Sequence, residues 1–243
     1  MGVRDGRTVY GVRSRVEMVG GTARRAKKPI ALFWLMVVVG IFCVGCGSPD
    51  EQGGTSSGLS QAGSGEAVEV GGAEAIVWGE GERGAVLAHG AVYDAASWGD
   101  QAQRIAENGA VALAVEDTSA QTVAEAARYL EDERGVRDVT LIGASAGTGG
   151  VLGAAEENPR LAEGVILLSG TGDVSGLGEY PKLFVASENE GLAPEVRRMA
   201  EEAPGGRNEA LILPGDAHAQ AIFETDQGEK LVQAILELLE KSG

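Results

Sequence analysis

From about residue 73 the chain alternates short apolar runs with stretches in which apolar positions recur at helical spacing. The runs Ala75–Trp78, Gly84–Ala88, Val111–Val115, Val139–Gly143, Gly164–Ser169, Lys182–Ala186 and Ala210–Leu213 predict strands. Several are continuous in Val, Ile, Leu and Ala, as strands covered on both faces must be. Between them, Trp98–Glu107, Ala120–Glu133, Gly147–Glu156, Pro194–Ala203 and Gly228–Leu239 predict helices, and in the last of these Leu231, Ile235, Leu238 and Leu239 share one face. Strands alternating with helices predict an α/β fold: a doubly wound, mostly parallel sheet with helices on both faces. A ligand of such a sheet sits at the carboxyl ends of its strands.

Ahead of this domain the pattern is different. Arg4, Arg7, Arg13, Arg15, Arg24, Arg25, Lys27 and Lys28 form a basic lead, and an apolar run follows from Ile30 to Val44. The order of basic lead, short apolar run and small residue is that of a secretory signal. The run falls short of the roughly 20 apolar residues that a comfortable membrane span needs. Residues 1–45 are therefore expected to direct export, either cleaved or kept as a thin anchor, with the positive end inside. Residues 46–72 read as a tether, since the stretch 47–65 is Gly/Ser-rich and almost without apolar side chains. Residues 73–243 are then one domain of ordinary size.

Charge narrows the partners. The chain holds 20 basic and 36 acidic residues, and beyond residue 45 the balance is 12 against 34, a net of −22. Such a polyanion repels phosphate backbones, which argues against nucleic-acid binding. Cys43 and Cys46 are the only cysteines, so the exported domain has no disulfide, no thiol nucleophile and no cysteine-based metal site. With two histidines in all, no cluster has metal-ligand spacing, and no cofactor motif is present.

Two segments fit the pattern G-x-S-x-G. Gly54-Thr-Ser56-Ser-Gly58 lies in the tether, with neither strand nor helix around it. Gly143-Ala-Ser145-Ala-Gly147 joins a predicted strand to a predicted helix, the setting in which a serine can be presented on a sharp, strained turn. A serine hydroxyl needs a base to become a useful nucleophile, and imidazole titrates in the right range. His218, in Gly215-Asp-Ala-His218 after the last predicted strand, is placed for that task. The amide of Ala146, next to the serine, is placed to stabilise a developing oxyanion.

Taken in order, these motifs resemble the α/β-hydrolase family, whose triad runs serine, acid, histidine. The resemblance spans Gly84 to the C-terminus and rests on four motifs in sequence. It implies an acid at the turn after Lys182-Leu-Phe-Val-Ala186, where Ser187-Glu-Asn-Glu190 places Glu190 in the position of the family's aspartate. Glu188 and Asp173 are the alternatives. It also implies a second oxyanion donor just after a His-Gly pair, which makes it Ala91 in His89-Gly90-Ala91, and gives His89 a structural role. Trp98 is similar to a residue of the stretch that follows that loop in the family. The short segment Thr171–Pro181 leaves no room for a large cap domain. At the other end of the chain, Cys43-Val-Gly-Cys46 resembles a bacterial lipobox, which implies lipid on Cys46 and a protein tethered to the outer face of the cell membrane.

The function these residues lead us to expect is hydrolysis of a small carboxylic ester or thioester through an acyl-enzyme. Ser145 would be the nucleophile, His218 the base, Glu190 the orienting acid, and Ala146 and Ala91 the oxyanion donors. The other expectation is a non-catalytic surface module that binds a partner with the same scaffold.

Overall fold

The computed structural model describes residues 65–242. They form one eight-stranded sheet in the order β1-β2-β4-β3-β5-β6-β7-β8. The strands are β1 (Glu66–Val70), β2 (Ala73–Trp78), β3 (Arg83–Ala88), β4 (Val111–Val115), β5 (Asp138–Ala144), β6 (Gly164–Leu168), β7 (Lys182–Ser187) and β8 (Asn208–Leu213). The pairs β1–β2 and β2–β4 are antiparallel, and every pair from β4 through β3 and β5 to β8 is parallel. The helices are α1 (Gly99–Glu107), α2 (Ala120–Arg134), α3 (Gly147–Glu157), α4 (Ala193–Glu202) and α5 (Gly228–Lys241), with 3₁₀ turns at Ala95–Trp98 and Ala219–Glu224.

Side chains alternate across the pleat, and each parity fills a different core. Val86, Leu113, Leu141, Leu167 and Phe184 point to the face covered by α2, α3 and α4. Leu87, Ile142, Ile166 and Val185 point to the face covered by α1 and α5, where Trp98 lies. Because both faces are covered, β4 and β6 carry no polar side chain at all and the middle of β3 is equally apolar, which is why these runs stand out in the sequence. Each fully buried Leu, Ile or Phe contributes on the order of 1.5–3 kcal/mol.

The tether expected over residues 46–72 ends earlier: Glu66–Val70 forms β1, and Gly71 and Gly72 close a two-residue hairpin onto β2 with φ of 62° and 81°. Positive φ at both turn residues is what a type I′ hairpin requires, and glycine supplies it without steric cost. The alternation in Val68-Glu69-Val70 belongs to a strand covered on one face only, with Val68 and Val70 against the α2 side. Arg134 at the end of α2 pairs with Glu66 at 3.1 Å and ties this edge down. No helix among the described residues is long and apolar enough to cross a membrane. Residues 1–45, expected to direct export, lie outside the described residues, as do Cys46 and Ser56.

Candidate active site

The site is built at the point where β5 turns into α3. Ser145 occupies the turn with φ of 47°, a region that costs a non-glycine residue on the order of 1–3 kcal/mol. The turn is held by Ser145 N donating to Leu168 O at 2.9 Å and by Thr148 N donating to Ser145 O at 3.1 Å. Both flanking glycines are required by space. A Cβ on Gly143 would lie 2.9 Å from Thr148 Cα, and one on Gly147 would lie 2.3 Å from Ala88 O. The motif is therefore a steric requirement of this turn. α3 begins directly after it with no side-chain cap, so the positive end of the helix faces the serine.

His218 and Glu190 complete a chain of hydrogen bonds. His218 Nε2 is 2.8 Å from Ser145 Oγ, and His218 Nδ1 is 2.7 Å from Glu190 Oε2. The second carboxylate oxygen, Glu190 Oε1, accepts from Ser169 Oγ at 2.8 Å and from Ser187 N at 2.5 Å. The carboxylate side chain is only 3% exposed, whereas the imidazole is 51% exposed. The carboxylate is thus fixed by donors on its inner side and the imidazole opens to solvent. Ser145, Glu190 and His218 come from three different loops, each at the carboxyl end of a strand: β5, β7 and β8.

The alternatives for the acid lie elsewhere. Asp173 accepts from Ser175 N at 2.9 Å, and this bond holds its carboxyl below the usual range. Glu188 is exposed, and its amide donates to Leu213 O. Neither carboxylate bonds to His218.

The loop after β3 lies against the elbow. A Cβ added to Gly90 would touch Ser145 Cβ at 3.5 Å, so the peptide leading to Ala91 is beside Ser145. Neither Ala91 N nor Ala146 N donates to any acceptor among the described residues. His89 makes no bond to the serine: its ring nitrogens lie 2.8 Å from Gly90 O and 3.1 Å from Glu116 O, linking the ends of β3 and β4. Trp98 is fully buried and meets Phe223 edge-on at 5.9 Å.

Three residues around the site were not singled out from the sequence. Ser169, with φ of 49°, and Ala219, with φ of 51°, are with Ser145 the only non-glycine residues of positive φ among those described. They are joined by Ala219 N donating to Ser169 Oγ at 2.8 Å. The third is Gln220, whose buried amide bonds to Gly90 N and to Ser97 Oγ. Ser169 directly follows β6 at the carboxyl edge, a weak signal that could have drawn notice. Nothing in the local sequence marks Gln220.

No protein-family model and no curated protein sequence matches this chain. Solved structures do. A dienelactone hydrolase from Anabaena variabilis superposes with a TM-score of 0.59 at 19% identity, over 72% of this chain and 95% of that one. A predicted CIB-like hydrolase from Thermoplasma acidophilum gives 0.56 at 19% identity, over 72% and 96%. A monoacylglycerol lipase from Paleococcus ferrophilus gives 0.55 at 17% identity, over 73% and 100%.

This is the α/β-hydrolase fold.

Within that fold, the hydrogen-bonded set of Ser145, His218 and Glu190 occupies the carboxyl edge, where ligands of such sheets bind. The loops leaving the strands at this edge carry Asp94, Glu116, Asp117, Asp173, Glu188, Asp216 and Glu224, and none of them carries a lysine or arginine. Six basic residues instead mark the opposite end, in or beside the segments entering the strands: Arg83, Arg134, Arg137, Arg160, Lys182 and Arg207. A cavity of about 550 Å³ between β7, β8 and α5 also lies at that opposite end and contains none of the site residues. Among the described residues no group of three or more His, Cys, Asp and Glu is placed to hold a metal ion.

Proposed function

We propose that this α/β-hydrolase-fold protein is a serine hydrolase that cleaves small carboxylic esters or thioesters. The observation that carries the reading is the unbroken chain from Ser145 Oγ through both nitrogens of His218 to a buried carboxylate. A solvated loop histidine has no need of a buried acid behind it. The names of the superposable proteins, a dienelactone hydrolase and a monoacylglycerol lipase, point to the same class of bond.

Ser145 Oγ attacks the carbonyl carbon while its proton passes to His218 Nε2. Glu190 faces Nδ1, which keeps the proton-accepting nitrogen toward the serine and stabilises the imidazolium. Negative charge moves to the carbonyl oxygen, where the amides of Ala146 and Ala91 supply donors with no competing acceptor. The tetrahedral adduct collapses, the C–O or C–S bond breaks, and the alcohol or thiol leaves with the proton from His218. Water then attacks the acyl-serine, losing its proton to His218, and the acid is released as Ser145 recovers its hydrogen.

The exposed imidazole and the acidic rim favour a substrate that is small, accessible and free of negative charge near its carbonyl. The same proposal tethers the domain outside the cell through lipid on Cys46. Incorporation of a fatty-acid analogue, lost in Cys46→Ser, supports the tether, and an intact mass that retains residues 1–45 overturns it. The activity is tested with a fluorophosphonate probe on the full-length protein. Labelling of Ser145 together with turnover of p-nitrophenyl esters supports the enzyme; an unlabelled, inactive but folded protein leaves the binding module as the better reading.

A further inference from the structure

The 3₁₀ turn that follows His218 bonds in two directions. On one side, Ala219 N reaches Ser169 Oγ, and through it the acid. On the other, the side chain of Gln220, 5% exposed, crosses to the loop after β3. Its Oε1 accepts from Gly90 N at 2.9 Å, and its Nε2 donates to Ser97 Oγ at 2.9 Å. Ser97 is itself held, since its hydroxyl donates to Asp94 O at 2.5 Å and its amide donates to Asp94 Oδ1 at 2.9 Å. Both polar ends of a buried amide are therefore used on one loop, and neither is used within the turn that carries it.

That loop carries Ala91. The peptide between Gly90 and Ala91 is planar and trans, so its C=O and N–H point in opposite directions. Gly90 O accepts from Tyr93 N at 3.0 Å and lies 2.8 Å from His89 Nδ1. With the carbonyl turned that way, Ala91 N–H is aimed to the opposite side. Gln220 fixes the other amide of Gly90, so the orientation of the Ala91 amide is determined from both ends of the glycine. Without the Gln220 acceptor, Gly90 could rotate, because glycine restrains its own φ and ψ least of all residues.

Resting on the hydrolase reading above, we propose that Gln220 is a positioning residue for the oxyanion site. It holds the Gly90 amide so that Ala91 N–H faces the oxygen that becomes negative, and it does so from a turn two residues past the general base. Base and oxyanion donors are thereby kept in register by one short segment. Gln220 acts through Gly90 and touches no reacting atom.

The test compares Gln220→Met, which keeps the length and loses both hydrogen bonds, with Gln220→Glu, which keeps an acceptor for Gly90 N. Each is made in the full-length protein, with thermal unfolding as the check on folding. Losing one well-aimed oxyanion donor costs about 10²–10³ in kcat, and loosening one costs less, so Gln220→Met should lower kcat about 10–10²-fold with KM within about threefold. An alkylboronic acid, which forms a tetrahedral adduct with the serine, should bind Gln220→Met more weakly by a similar factor. The acid limb of the kcat/KM profile should stay in place, because His218 and Glu190 are untouched. Gln220→Glu should keep activity within about tenfold of wild type, with Ser97 Oγ turning to donate.

Turnover of Gln220→Met within twofold of wild type, unchanged boronate affinity, or a displaced acid limb would each overturn the inference. If Gln220→Met fails to fold, Gln220→Asn decides in its place: it keeps the amide but is one methylene too short to reach Gly90 N, and the same loss is expected. An inactive, unlabelled wild type refutes the hydrolase reading itself, whereas an active wild type with indifferent Gln220 variants refutes only this step.

Discussion

Glu190→Gln isolates the carboxylate charge at nearly constant shape. The glutamine oxygen can take the place of Glu190 Oε1 and go on accepting from Ser169 Oγ and Ser187 N, which lie at 2.8 and 2.5 Å. Its NH₂ must then face His218 Nδ1, where the carboxylate oxygen stood at 2.7 Å. Two donors cannot share that contact, so Nδ1 becomes the acceptor and the ring proton moves to Nε2. Nε2 is the atom 2.8 Å from Ser145 Oγ, and once protonated it cannot take the serine proton. The imidazolium also loses its counter-charge. Together these should lower kcat by roughly 10²–10⁴, equivalent to about 3–5 kcal/mol of transition-state stabilisation. KM should change little, since the acid touches no substrate. Steady-state hydrolysis of a p-nitrophenyl ester and the rate of fluorophosphonate labelling report the effect independently, with thermal unfolding as the check on folding. Glu190→Asp should keep part of the activity. Glu188→Gln and Asp173→Asn should match wild type, since neither carboxylate meets the histidine. Turnover of Glu190→Gln within threefold of wild type, or a crippled Asp173→Asn, would refute the reasoning.

Ser145→Ala should abolish turnover by several orders of magnitude, and Ser145→Gly should do the same while raising stability by about 1 kcal/mol, because glycine relaxes the positive φ; urea unfolding reads the gain. Ser169→Gly should lower kcat about tenfold even though it relaxes a φ of 49°, because the hydroxyl joining Glu190 to Ala219 is lost; an unimpaired variant would show that the bridge is dispensable. A p-nitrophenyl hemisuccinate should react with a lower kcat/KM than the neutral ester of equal length, and the gap should narrow in high salt as the acidic rim is screened. Burial pushes the Lys182 ammonium down from 10.5 to about 8, so between those values the unfolded chain binds the extra proton. Stability should therefore rise from pH 7.5 to 9.5 by roughly 1–3 kcal/mol, and in Lys182→Met this rise should be absent.

The α/β alternation was legible because both faces of the sheet are covered. A strand such as Val111–Val115 must then be apolar throughout, and no other short element needs that composition. The elbow was legible because a serine held at φ of 47° between a strand and a helix tolerates only glycine at 143 and 147, so steric demand is written directly into local sequence. β1 was missed because a strand covered on one face alternates, and Glu66-Ala-Val-Glu-Val70 followed by two glycines resembles the linker before it. The acid shows where local reading stops. Glu188, Glu190 and Asp173 are equivalent carboxylates in loops at the same edge, and only the packed structure turns one of them inward beneath Ser169 and Ser187. The same holds for Gln220, separated from Gly90 by 130 positions. A hydrogen bond across that distance imposes no periodicity and no neighbouring composition, so the tertiary fold alone decides which buried amide meets the loop beside Ser145.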